Sequence, residues 1–146
     1  MAYDFVSASS QDISFGDITF LDGLSTISGH AWFNADNVTQ DHVIVSKSQA
    51  GSHTLQFFQD NVGSTSGRTD TFTIFIRLSG VSAKVEGAQN AASAGTWIPV
   101  GFSWEAGSAT GLRLYINGSE DANSPVTTAT QGSFLNNTGR KILTGA

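Results

Sequence analysis

The chain has 146 residues, no cysteine and a net charge of −5, with 13 % charged residues where about 25 % is usual in soluble domains. The lack of cysteine excludes disulfides, thiolate metal sites and a cysteine nucleophile. The seven Lys and Arg are scattered without a basic run, which argues against a nucleic-acid partner, and no segment approaches the ~18 apolar residues needed to span a membrane as a helix. The length suits one domain with a sizeable core, and 16 Gly and 10 Phe against 2 Pro and 1 Met describe an all-β chain with many turns.

In chain order, residues 3–6 read as a short apolar strand. Ile13, Phe15, Ile18 and Phe20 surround Gly16-Asp17, the pattern of a strand with a bulge or turn, and Leu21-Asp22-Gly23 turns the chain. Ile27, Gly29, Ala31 and Phe33 alternate with Ser28, His30, Trp32 and Asn34. The first set should face a core, with the small Gly29 and Ala31 allowing close sheet packing. Residues 35–41 read as loop. Residues 42–48 predict a strand with Val43 and Val45 on one face, and residues 53–59 a strand carrying Leu55 and Phe57. Residues 60–70, DNVGSTSGRTD, are the longest polar stretch and predict a mobile loop. Phe72, Ile74, Ile76 and Leu78 alternate over residues 71–79, Gly80 turns the chain, and residues 81–86 continue as a strand. Residues 87–95 are a small, polar loop.

Residues 97–118, WIPVGFSWEAGSATGLRLYING, then predict a β-hairpin. Val100, Phe102 and Trp104 alternate with Gly101 and Ser103; Leu112, Leu114 and Ile116 alternate with Arg113, Tyr115 and Asn117. Asn117-Gly118 suits the positive φ of a tight turn, so a third strand should start at once. Three antiparallel strands with one apolar face require a second sheet to cover it. Beyond Gly118 the pattern weakens to the pairs Phe134-Leu135 and Ile142-Leu143 around an Asn136–Gly139 turn. No window shows helical spacing.

The hairpin resembles the pattern W-x-x-V-x-F-x-W … L-x-L-Y-x-N-G of laminin G-like domains, in the concanavalin A-like lectin/glucanase superfamily. TISGHAWFNAD (residues 26–36) is similar to that family's T-I-S-A-W strand with Gly29-His30 inserted, and IVSK (residues 44–47) to the strand after it. The resemblance implies a single-domain, two-sheet antiparallel β-sandwich of jelly-roll type over residues 1–146. It implies that residues 3–6 pair with a last strand that such domains form after a Leu-x-x-Gly like residues 143–145. Here the chain stops at Ala146, so that strand is expected to be missing, supplied in trans by a neighbouring subunit, or part of a longer protein.

The superfamily's glucanases carry E-x-D-x-x-E on a strand, the close carboxylate spacing that retaining hydrolysis needs. Glu86, Glu105 and Glu120 lie in no such motif and are expected as solvated residues near turns. His30, His42 and His53 fall on separate strands without metal-ligand spacing. The resemblance also implies one Ca²⁺ at the rim of the sandwich in many members. Asp60, Asn61 and Asp70 are the oxygen donors available for it, with Glu120 and Asp121 a second group, and no stretch matches an EF-hand loop.

Alternation assigns His30, Trp32, Phe75, Arg77, Arg113, Tyr115 and Asn117 to the side away from the core. Aromatic rings beside Arg, Asn and His suit sugar recognition, and suit a protein interface equally. If loops fold over this side, Trp32 and Tyr115 instead form a small second core. The sequons at Asn37, Asn117 and Asn136 read as chance products of an Asn/Ser/Thr-rich composition.

The expectation is a non-catalytic surface or assembly module. It would sit on a virion or another extracellular surface, as a phage capsid decoration or fibre protein does, without a secretory signal peptide. It would contact neighbouring subunits or copies of itself, and glycans. The alternative is a glycoside hydrolase or polysaccharide lyase of the same superfamily.

Overall fold

The computed structural model describes residues 13–49, 52–62, 66–78, 81–108, 111–125 and 141–144. The strands are β1 (Ile13–Asp17), β2 (Thr26–Phe33), β3 (His42–Gln49), β4 (Ser52–Val62), β5 (Thr69–Arg77), β6 (Ser82–Glu86), β7 (Ile98–Glu105), β8 (Leu112–Ile116), β9 (Ser119–Glu120) and β10 (Lys141–Thr144). All pairings are antiparallel, in a six-stranded sheet ordered β1-β10-β3-β4-β5-β6 and a four-stranded sheet ordered β2-β7-β8-β9. This is the expected two-sheet sandwich. Among the described residues the only helical piece is a 3-10 turn, Thr19–Leu21. The expected strand at residues 3–6, the missing or borrowed strand beside it, the Phe134-Leu135 pair and the turn at 136–139 lie outside the described residues.

The core forms where the apolar alternation of the two sheets meets. Leu55 and Phe57 of β4, Phe72, Ile74 and Ile76 of β5, and Val85 of β6 are buried against Val100, Phe102 and Trp104 of β7 and Leu112 and Leu114 of β8. Edge-to-face ring pairs join the sheets: Phe57 to Phe102 at 5.5 Å and Phe72 to Phe33 at 5.2 Å. Gly29 makes room for this layer, since a Cβ there would lie 2.9 Å from Cε1 of Phe102.

Two expectations fail here. Val43 and Val45 do not share a face, because the β3–β4 register shifts between them; Ile44 and Val45 pack on the core instead. An extra residue in one strand reverses the alternation beyond it. The loop expected over residues 60–70 is also shorter. The β4–β5 ladder runs on through Asp60↔Thr71 to Val62↔Thr69, and the next loop is tied to it by Asn90 N donating to Thr69 O and Ala92 N donating to Asp70 O, both at 2.9 Å. Backbone ladders hold polar residues in a strand as readily as apolar ones, so polarity alone misplaced this boundary.

Lys47 of β3 is fully buried. Its ammonium donates to Asp22 Oδ1 at 2.7 Å and to Ile18 O at 3.2 Å, with Asp17 at 3.8 Å. The pair fastens the turn after β1 to the middle of the six-stranded sheet. Lys47→Met, which keeps the aliphatic stem and removes the charge, should lower stability by about 3 kcal/mol, because Asp22 loses its buried cation. Gly29→Ala should cost about 1–3 kcal/mol, because the buried Phe102 ring, packed edge-on against Phe57, would have to shift. Urea unfolding midpoints of the two variants test both values.

Candidate functional site

The residues that alternate with the core of β2, β7 and β8 form the outer face of the four-stranded sheet. Register sets them in rows. Trp32 lies opposite Pro99; His30, Gly101 and Tyr115 form the next row; Ser28, Ser103 and Arg113 the third. Strand β7 contributes the small Pro99, Gly101 and Ser103, flanked by Trp32 and His30 on β2 and by Arg113 and Tyr115 on β8, so the face is a shallow trough with β7 as its floor.

Local geometry holds the walls. Asn117 (φ 53°) and Gly118 (φ 78°) make the tight turn expected from their sequence, with Asn117 N donating to Pro99 O at 2.9 Å, and β9 follows at once. Arg113 Nη1 donates to Glu120 Oε2 at 2.6 Å, and Ser124 Oγ donates to Glu120 Oε1 at 3.1 Å. The hydroxyls of Ser103 and Tyr115 are 3.5 Å apart. A shallow, open hollow lined by Thr26, Ile27, Ser28, Ser103 and Trp104 lies at the Ser28 end.

Five of the seven expected residues, His30, Trp32, Arg113, Tyr115 and Asn117, therefore share one face. Phe75 and Arg77 do not join them. They lie on β5, on the outer face of the six-stranded sheet, with the whole core between. Alternation shows which residues turn from the core, and cannot show which of two sheets carries them. Trp32 is 65 % exposed, so it does not belong to a second core under loops; Tyr115 is half-buried. Trp97, one residue ahead of β7, is 56 % exposed and enlarges the aromatic end of the trough. Sequence reasoning missed Trp97 and the β7 floor; P-x-G-x-S alternating with V-x-F-x-W shows small outward residues, and only the sheet order sets them between β2 and β8.

The remaining candidates are dispersed. Asp60 is buried in β4. Asn61, its strand neighbour on the opposite face, donates through Nδ2 to Thr39 O at 2.6 Å and through its backbone N to Asp41 Oδ1 at 2.9 Å. Asp70 sits in β5. Of the second group, Glu120 is bound to Arg113, and Asp121 is buried with its Oδ2 accepting from Ala88 N at 2.9 Å. Among the described residues no three His, Asp or Glu side chains gather to hold a metal. His42 Nε2 donates to Asn37 O at 2.9 Å, His30 stands on the trough, and the side chain of His53 lies outside the described residues.

Glu105 and Glu120 are exposed as expected, but Glu86 is not a solvated turn residue. It is 8 % exposed at the end of β6, ion-paired with Lys84 and accepting from Ser66 N at 2.9 Å. Burial pushes its carboxyl pKa up; the hydrogen bonds from Lys84 and Ser66, with the Lys84 charge, outweigh that and hold it at about 2, against an ordinary 4.5. Glu86 is thus an anion near neutral pH and unsuited to act as a general acid there.

This sandwich, with its laminin G-type hairpin and T-I-S-x strand, defines a lectin-like all-β domain. A laminin G family model described as "Concanavalin A-like lectin/glucanases superfamily" matches residues 7–146, and the chain belongs to that family. Among solved structures it is similar to CG-16, a homodimeric agglutinin from chicken liver, at 9 % identity and a TM-score of 0.49 over 92 % of each chain. No curated protein matches the sequence.

The Glu86 shift sets a pH dependence. A carboxyl whose folded pKa lies below its unfolded value contributes fully above the unfolded value and loses that contribution as pH falls. Stability should therefore decline between about pH 4.5 and about 2 in part through Glu86. Glu86→Gln should flatten that part of the acid limb in urea titrations across this range.

Proposed function

We propose that the protein is a non-catalytic surface module that binds glycans in the trough of the four-stranded sheet. The observation that carries this reading is Trp32, a large ring 65 % exposed on a regular strand with His30, Tyr115 and Asn117 around it. Leaving such a ring in water forgoes roughly 1.5–3 kcal/mol of burial. A pyranose offers it an apolar C–H face to cover, while the neighbouring polar groups meet the hydroxyls. Membership of a superfamily that includes lectins supports the reading. The non-catalytic part rests on the carboxylates. Glu120, beside the trough, is occupied by Arg113 at 2.6 Å, and no E-x-D-x-x-E strand is present in the sequence.

The proposed setting is the surface of a virion or other extracellular assembly, where repeated copies multiply weak contacts with sugars. Low charge content is the property that suits such close packing. A glycan array followed by calorimetry tests the function. Trp32→Ala should weaken binding by roughly tenfold or more, since stacking on one ring is worth about 1–3 kcal/mol, with the thermal unfolding midpoint unchanged. An unbound array, or equal affinity of the variant, refutes the reading; release of new reducing ends would make the protein a hydrolase.

A further inference from the structure

We infer that the ligand of this trough is an extended, uncharged polysaccharide chain lying along β7 and held by two stacking positions, Trp32 and Trp97. The inference rests on the glycan-binding reading above and adds the chemical class and size of the ligand.

Two rings support the extended ligand. The register puts Trp32 opposite Pro99, and Trp97 precedes Pro99 by two residues, one residue ahead of β7. Cross-strand diagonal neighbours are about 7–8 Å apart, and Trp97 stands just past the last paired residues, Phe33↔Ile98. Trp97, one residue ahead of β7, is 56 % exposed beside the buried Ile98, so its ring stands clear of the core. Two rings at one rim give adjacent sugar units separate faces to cover. From Trp97 to Ser103 the floor then runs roughly 20 Å at the usual strand rise, with no large side chain across it. A single sugar would use only a fraction of that length.

Charge sets the class. Of the Lys and Arg among the described residues, Arg113 alone stands on this face, and Glu120 holds it at 2.6 Å. Lys47, Arg77, Lys84 and Lys141 belong to the six-stranded sheet, and Arg68 donates to Glu86 O; Arg140 lies outside the described residues. Glu105, at the far end of β7, and Glu120 give the face two acids against one base. A uronate, sulfated or sialylated chain would find no free cation among the described residues here and would meet like charge. Neutral sugars need only the rings and the uncharged donors and acceptors of Ser28, Ser103, Tyr115 and Asn117.

The test is a chain-length series. Affinities of the whole protein are measured for cello-, xylo- and manno-oligosaccharides from disaccharide to hexasaccharide, with alginate oligosaccharides as the anionic series. Wild type, Trp32→Ala, Trp97→Ala and Trp97→Phe are compared, each checked for an unchanged thermal unfolding midpoint. The expected result is roughly tenfold tighter binding of a neutral hexasaccharide than of its disaccharide. That gain should vanish in Trp97→Ala and be partly kept in Trp97→Phe. Length dependence surviving in Trp97→Ala, or preference for alginate, overturns the inference and leaves the glycan reading standing. If no series binds, or if Trp32→Ala binds as wild type, the glycan reading itself fails and the inference with it.

Discussion

The unbroken register between β2 and β7 is the constraint on which the rest depends. Eight consecutive pairs, from Thr26↔Glu105 to Phe33↔Ile98, run without a bulge. Because side chains alternate strictly, a slip of one residue would send Val100, Phe102 and Trp104 into water and Pro99, Gly101 and Ser103 into the core. Core and trough are thus two sides of one decision. The Phe102 ring shows how closely it is made: it enters the space left by Gly29 on the neighbouring strand and meets Phe57 of the opposite sheet edge-on.

The two sheets divide the chemistry between them. The six-stranded sheet carries four of the six described cations and the ion pairs Lys47 with Asp22 and Lys84 with Glu86. These pairs hold local structure in place, the first a turn after β1 and the second the approach to β5 through Ser66 and Arg68. The four-stranded sheet carries two exposed tryptophans and a nearly neutral polar surface. A domain that binds sugars on one face is helped by having its strong charges engaged elsewhere, since free charges select for ionic partners.

Much of the site was legible for a simple reason. The period of a strand is two, so His30, Trp32, Arg113 and Tyr115 could be set apart from Ile27, Phe33, Leu112 and Leu114 by counting. The Asn117-Gly118 turn was legible because few residue pairs accept positive φ twice in succession. Trp97 was hidden by sitting one residue outside its strand, where alternation gives no reading. Lys47 and Glu86 were hidden because charge normally marks a solvated position. Partners distant in sequence, Asp22 for Lys47 and Ser66 beside the neighbouring Lys84 for Glu86, make their burial tolerable.

The amino-acid sequence by itself determined the all-β class, the central hairpin, the turn residues, and which side chains leave the core. These follow from local rules: periodicity, backbone conformational preference and composition. Tertiary structure alone decided that Phe75 and Arg77 stand on the opposite face from Trp32. It also decided that β3 bulges, that Asp60 is buried in a strand, and that β7 is the floor of a trough. Each of these depends on which strands become neighbours, and strand neighbours are chosen by long-range packing of the two apolar faces, a quantity no local window of sequence contains.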